Sequence, residues 1–416
     1  MKIYEELQQQ YQKYDNIQNL MKYFNDDELT KRFKSLKNRA PGVDGVTKYD
    51  YEKNLESNID RLVSSIRSGS YTPKDIRRCY IPKANGKLRP LGIPTTEDKI
   101  VQGVMADILY SIYDPLFLQC SFGYRLNQNA HSALSKLKCI AEKGKTHYIV
   151  KADIKGFFDN VKHIKLLEML KENIQDKHFI SLIKKFLKAD IFYKDKLFHN
   201  KSGTSQGGLI SPVLGNIYLH YALDEWFDTE IKAMFHYTNL IRYCDDFIAS
   251  FATKSDATLF ITAVQKRLKE YHLDLELEKT NIIKFDIRDT SSEILSFLGF
   301  NIFVDVNNHL CFCASYHKLQ QKITDISDRF MDMLNKGYSV IDCLLTVNDK
   351  LRGCYNYYGV STNSTWIQQL YEYTGNCIMD ILYYNEKTRQ MSYDQLYNLL
   401  LYKLPILSPP VSLIQL

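Results

Sequence analysis

No run of about eighteen apolar residues occurs in the 416-residue chain, so no membrane span is expected. Its opening stretch, MKIYEELQQQYQKYDN, is polar where a secretory leader would be basic and then apolar, and a cytoplasmic protein is the expectation. Nine cysteines stand at 79, 120, 139, 244, 311, 313, 343, 354 and 377 without a CxxC pair, which argues against a zinc ribbon or a redox dithiol. Mostly buried, reduced thiols are predicted instead. Neither a GxGxxG cradle nor a GxxxxGK[ST] loop is present, which argues against a nucleoside-triphosphatase motor. Internal repeats and low-complexity tracts are also lacking.

What is present fits a folded protein of two to four domains, with 45% hydrophobic and 25% charged residues. A net charge of +6 permits a polyanionic partner without demanding one. Apolar spacing of three and four predicts amphipathic helix from Lys2 to about Lys37, broken by Pro41, Gly42, Asp44 and Gly45. After a helical stretch through Leu62 and Ile66, β-formers from Arg77 to Lys83 run into Asn85-Gly86, which reads as a hairpin tip. Helix is expected over 97–118, and a buried strand ending in an acid over 147–154. Residues 240–251 read as a hairpin with Asp245-Asp246 at its turn. Amphipathic helix returns over about 315–345, with Lys318, Lys322, Arg329 and Lys336 available for one polar face.

Acidic pairs in turns are ordinarily just solvated. Here apolar strands would hold the turn rigidly, and Asp153 ends another strand of the same type. Carboxylates converging from buried strands repel unless cations neutralise them, and divalent metal is the natural answer. Two Mg²⁺ ions about 4 Å apart, with Mn²⁺ as an alternative, suit in-line phosphoryl transfer: one activates the attacking hydroxyl and the other neutralises a triphosphate. Lys83 and Arg89 flank the Asn85-Gly86 tip, where both cations could reach phosphates, although hairpin basics are as often only solubilising. Gly203-Thr204-Ser205-Gln206-Gly207-Gly208 packs turn-formers ahead of an apolar helix, a loop through which backbone can approach a base pair closely.

In this order the motifs resemble those of the reverse transcriptases related to group II intron proteins. Residues 40–46 are similar to that family's N-terminal extension loop, 81–94 to its fingers hairpin, and Ser121-Phe122-Gly123-Tyr124-Arg125 is typical of it. Residues 151–159 resemble the first palm motif, 203–212 the second, and Tyr243-Cys244-Asp245-Asp246 the metal-binding turn. Glu278-Lys279-Thr280 and Phe297-Leu298-Gly299-Phe300 look like the end of the palm, and 352–359 like the end of the thumb or maturase region.

The resemblance implies an α+β right-hand polymerase: an N-terminal extension over 1–40, fingers over 41–145, a palm with an antiparallel catalytic sheet and part of the fingers over 146–312, and a helical thumb with the remaining tail over 313–416. It implies an RNA-directed DNA polymerase that extends a primer with dNTPs on template RNA, with DNA as product. Asp153 and Asp245 would be metal ligands and Asp246 would complete the acidic cluster. Phe158 would reject ribonucleotides at the 2′-hydroxyl, Gln206 would contact the nucleotide, and Lys279 would protonate the pyrophosphate leaving group. Arg125, Gly299, Lys318, Lys322 and Arg329 would touch nucleic acid.

Two departures bear on the branch. Residues 360–416 carry three basic side chains against four acidic ones, a poor DNA-binding surface, and Cys244 stands where intron enzymes mostly carry Ala. Both features look more like the free-standing, defence-associated bacterial reverse transcriptases, particularly type 2, which copy a dedicated non-coding RNA. The rival expectations are an intron maturase that supports splicing and retrohoming, and a catalytically silent RNA-binding scaffold, which the intact Asp153, Asp245 and Asp246 oppose.

Overall fold

In a computed structural model of the chain, every residue is described except 1, 15, 16, 38, 39, 83–85, 87, 201, 206, 386–391, 399 and 401–404. Two compact units emerge, one of residues 1–136 and 147–282 and the other of 137–146 and 283–416.

The first unit opens with α1 (Lys2–Tyr14) and α2 (Asp26–Ser35), followed by α3 (Lys48–Glu52) and α4 (Leu55–Arg67). The single helix expected over 2–37 is therefore interrupted. Asn19 takes a left-handed φ of 57°, and Asn25 caps α2 by accepting the Glu28 N–H, so polar residues able to bond their own backbone end one helix and begin the next. Between them Ile17 bridges to Ile174, and the Leu20 N–H donates to Asp176 at 2.7 Å.

β1 (Ile76–Pro82) and β2 (Leu88–Ile93) pair antiparallel around the expected hairpin, with Arg77 opposite Ile93 and Pro82 opposite Leu88. Lys83 and most of the tip lie outside the described residues. α5 (Thr96–Tyr113), capped by Thr95, is buried on nearly every side, as its apolar sequence demands. α6 (Ala130–Glu142) leads to β3 (Tyr148–Asp153), α7 (Phe157–Asn160), α8 (His163–Asn173) and α9 (Lys177–Leu187). β4 (Ile191–Tyr193) and β5 (Lys196–Phe198) extend the first sheet to the order β2-β1-β4-β5, with β1 and β4 parallel.

α10 (Ser211–Leu219) continues through π-helical turns at His220–Asp224 and Phe227–Ile231 into α11 (Lys232–Met234). β6 (Thr238–Tyr243) and β7 (Asp246–Phe251) form the second hairpin, backed by α12 (Lys254–Glu270), and β8 (Asn281–Lys284) completes a sheet of order β6-β7-β3-β8. β7 runs antiparallel to both β6 and β3, and all of it but Asp246 is buried. A continuous apolar strand of this kind belongs in the middle of a sheet covered on both faces.

The second unit has a three-stranded antiparallel sheet of order β11-β10-β9, from β9 (Leu295–Phe297), β10 (Phe300–Val304) and β11 (Leu310–Cys313). Helices α13 (Tyr316–Asn335), α14 (Val340–Tyr358), α15 (Ser364–Tyr384) and α16 (Tyr393–Asn398) follow. The one helix expected over 315–345 is two, because Gly337 takes φ 86° and Ser339 caps a new start through the Asp342 N–H. Among the described residues no helix is long and apolar enough to cross a membrane. The cysteines depart from expectation: all nine are free, but only Cys343 and Cys354 are buried and Cys139 is exposed.

Phe251 anchors β7. It is fully buried, with Phe260 at 5.1 Å and Phe235 edge-on at 5.4 Å between ring centroids. Phe251→Ala is expected to lower unfolding free energy by about 3–5 kcal/mol in denaturant titration, because a rigid cluster cannot collapse onto the cavity.

Candidate active site

The acid cluster follows from strand register. β3 and β7 align so that Asp153 faces Asp246 directly, and Lys151 shares that face two residues earlier. Like charges in such a pair destabilise a ladder. Asp245 joins them from the turn, where its carbonyl accepts the Ile154 N–H. Only Cys244 and Asp245 connect β6 to β7, and Cys244 has φ 61°. A left-handed non-glycine residue costs on the order of 1–3 kcal/mol and persists where its surroundings over-determine it. Gly123 is one of those surroundings: a Cβ there would lie 2.5 Å from the Cys244 sulfur and 2.6 Å from its nitrogen.

Burial pushes Asp245 above the ordinary carboxylate range, Asp153 adds to the rise, and Lys279 and Arg89 oppose it. Asp246 is raised to about 7, first by burial and then, against the pull of Lys151, by Asp153 and Asp245. Asp246 Oδ1 is buried and has no hydrogen-bond partner. Lys279 Nζ lies 2.5 Å from Asp153 Oδ2. It reaches there because the Glu276 N–H donates to the Asp153 carbonyl, setting the short 3₁₀ turn Leu277–Lys279 beside the strand end. The hydrogen bond to Asp153 holds the Lys279 ammonium above its usual range.

Divalent metal fits this donor set in chemistry: hard carboxylate oxygens, an orphaned buried Asp246 oxygen, and raised pKa values that cation binding would reverse. Among the described residues no three His, Cys, Asp or Glu side chains form a ready-made cage. Asp153 is instead turned to the Lys279 ammonium, which supplies positive charge to the cluster.

Phe158 follows the cluster, half-buried, its ring 5.1 Å from that of Phe157 and against the α10 backbone at Gly215. The loop 203–212 docks beside it. Thr204 N–H donates to the Phe158 carbonyl at 2.7 Å, and a Cβ on Gly203 would meet the same carbonyl at 2.7 Å. On its other side the loop meets β2 and α5, since the Leu209 N–H donates to Gln102 and a Cβ on Gly207 would sit 2.4 Å from the Gly92 carbonyl. Gln206 itself lies outside the described residues. Arg89 is exposed on β2 and acts electrostatically on Asp245.

Arg125 does not join this group. Its guanidinium donates to the Asp114 carboxylate and to the carbonyls of Asp114, Leu118 and Ser121, and its side chain is only 11% exposed. The basic residue expected to touch nucleic acid instead fastens its own loop. Its neighbour Tyr124, which sequence reading passed over, is half exposed, and its phenol feels Cys244, Asp245 and Arg89. Its place inside the 121–125 motif was the signal that could have found it.

Within the second unit, Leu298 and Gly299 form the turn between β9 and β10 with φ 47° and 81°. Lys318 Nζ donates to the Gly299 carbonyl at 3.1 Å, over the Tyr358 ring. Burial, and then Lys322, holds its ammonium below the usual range. Arg329 is paired with Asp332 one turn on, and Lys322 lines a cavity of about 420 Å³ with Lys350, Tyr357 and Tyr358.

Residues 81–302 match the family described as reverse transcriptase (RNA-dependent DNA polymerase). The chain belongs to that family. It is similar to the group II intron-encoded protein LtrA of Lactococcus lactis subsp. cremoris, 30% identical over 412 residues, covering 78% of this chain and 67% of that protein. Protein YkfC of Escherichia coli strain K12 is 33% identical over 238 residues, 50% of this chain and 62% of that one. A solved telomerase from Candida albicans, in complex with a TWJ fragment of telomeric RNA, has a TM-score of 0.48 at 12% identity, covering 83% of this chain and 68% of that one. The chain is a reverse transcriptase of group II intron type, an RNA-directed DNA polymerase of mixed α+β fold with antiparallel sheets and a helical C-terminal region.

The raised Asp246 carries a pH signature. Between the unfolded value of 3.8 and the folded value of about 7 the folded chain holds the extra proton, so this group's stabilisation is largest in acid and declines as pH rises through that window. The slope is at most about 1.4 kcal/mol per pH unit. In metal-free denaturant titrations from about pH 5 to about pH 8, Asp246→Asn is expected to flatten this decline and to be the more stable chain at the alkaline end.

Proposed function

We propose that the chain extends a primer with dNTPs on an RNA template at the Asp153, Asp245 and Asp246 cluster. The observation that supports this most is the register that sets Asp153 against Asp246 beside an orphaned carboxylate oxygen. Asp153 and Asp245 would hold divalent metal, Mg²⁺ or Mn²⁺, with Asp246 completing the charge. When bound, the metal supplies Lewis acidity and neutralises phosphate charge in the in-line displacement. Arg89, with Lys83, would steady the incoming phosphates. Phe158, held against α10, would stand beside the sugar and exclude a 2′-hydroxyl, with Gln206 touching nucleotide from the docked loop. Lys279 would give up Asp153, which removes the hydrogen bond that raises its pKa, and donate its proton to departing pyrophosphate. Gly299, Lys318, Lys322 and Arg329 would support the duplex from a thumb.

Asp245→Ala with Asp246→Ala is expected to abolish Mg²⁺-dependent dNTP incorporation while leaving the fold and RNA binding in place, since removing clustered carboxylates also relieves repulsion. Synthesis by the folded double variant in single-nucleotide extension assays would overturn the site.

The template is proposed to be a dedicated non-coding RNA, copied in the course of antiphage defence. Support comes from residues 360–416, whose net charge is −1 and which offer little to duplex DNA, and from Cys244 in the metal-binding turn. Similarity to LtrA favours the second reading, an intron-encoded enzyme that binds its intron RNA and supports splicing and retrohoming. Competition binding separates them. The first reading expects the copurifying RNA to outcompete equal-length duplex DNA at physiological salt, where non-specific DNA binding lies at roughly 10⁻⁴ to 10⁻⁶ M. Equal affinities, or a self-splicing intron as the copurifying RNA, would establish the second.

A further inference from the structure

Two residues before Cys244, Arg242 is wholly buried, and each of its five N–H groups has a partner. Nε and Nη2 donate to the two oxygens of Asp224 at 2.7 and 2.6 Å, Nη2 also to Ser121 Oγ at 2.7 Å, and Nη1 to Asn216 Oδ1 at 2.9 Å and the Cys244 carbonyl at 3.1 Å. One guanidinium thus ties together α10, the π-helical turn that follows it, the loop at Ser121 and the turn that carries Asp245. The backbone repeats the connection, since Arg242 N–H donates to the Cys120 carbonyl and Phe122 N–H to the Arg242 carbonyl. Asn216 extends it to the Gly123 carbonyl at 2.6 Å, and Gly123 packs on Cys244.

A buried ion pair is weak grounds for a stabilising role, because apolar residues of similar volume often do as well. What apolar residues cannot do is fix a carbonyl. The left-handed Cys244 is also the residue whose carbonyl Arg242 holds. A lysine would bring three hydrogens on one atom and could not span these acceptors. The π-helical turn at His220–Asp224 ends on Asp224, the residue that meets the fork, and π-helical turns of this kind are frequent at functional sites.

We infer that Arg242 is a positioning residue for the polymerase reaction, clamping the Cys244 carbonyl so that the Asp245 carboxylate is held in place. The inference rests on the acid cluster being the reacting centre. Its test uses the full chain with Arg242→Met and Asp224→Leu together, which removes both charges and leaves none unpaired in the core. The double variant is expected to melt near the parent. Amide exchange of a peptide spanning Tyr243–Asp246 should quicken about tenfold relative to β3 peptides. Incorporation at saturating dNTP should fall about 10- to 100-fold, with KM for dNTP within about threefold of the parent. If the double variant does not fold, Asn216→Ala, which frees Nη1 from one acceptor, should move exchange and rate in the same directions by about three- to tenfold. Parental turn exchange or a parental rate in the folded variant overturns the clamp and leaves Arg242 as core packing. Failure of the site itself reads out separately, as synthesis surviving in the Asp245→Ala, Asp246→Ala chain.

Discussion

Two carboxylates facing each other across a β-ladder repel, and Asp153 and Asp246 do so where water reaches them only in part. Much of the first unit answers that repulsion. Positive charge gathers around it from three different places: Lys151 along the same strand face, Lys279 from the 3₁₀ turn, and Arg89 from the hairpin of β1 and β2. Apolar packing answers it too, because strands that would separate to relax the charges are held by a continuous core running from β7 into α12. The energy stored at the cluster is what a multivalent cation can release, so the same arrangement that weakens the free protein would favour metal and the phosphates it carries.

Much of this was legible in the sequence, and the reasons are local. β-formers flanking Asn85-Gly86 and the acidic pair gave both hairpins, since alternation and turn chemistry act within a few residues, but the second turn is Cys244-Asp245 and Asp246 already opens β7. The strand ending in Asp153 was readable because β-formers at its core, Ile149 and Val150 above all, run straight into an acid, although only Ile149, Val150 and Ala152 of β3 are buried. What escaped depends on partners far away in the chain. The helix expected to run on from 315 stops because Gly337 is free to turn left-handed, a choice that apolar spacing does not report. Arg125 was assigned outward because arginine usually is, whereas Asp114 and nearby carbonyls consume its donors. Arg242 lay inside a strand that read as apolar, and its four partners come from segments up to 121 residues away. The cysteines scattered between core and surface because a thiol packs acceptably in either.

The pairing of β3 with β7 has a kinetic side. Between Asp153 and Asp246 lie roughly ninety residues, so bringing them together closes a long loop whose entropy must be met before any contact at the cluster repays it. Helices α7 to α10 and the small β4–β5 hairpin fall inside that loop and can form from local contacts, whereas the ladder that creates the site cannot. The acid cluster therefore comes into being with the long-range core and not with any subdomain, so no excised piece shorter than the span from β3 to β7 contains it. In a refolding experiment, recovered activity would count molecules that have completed the whole first unit, even where helical signal had returned much earlier.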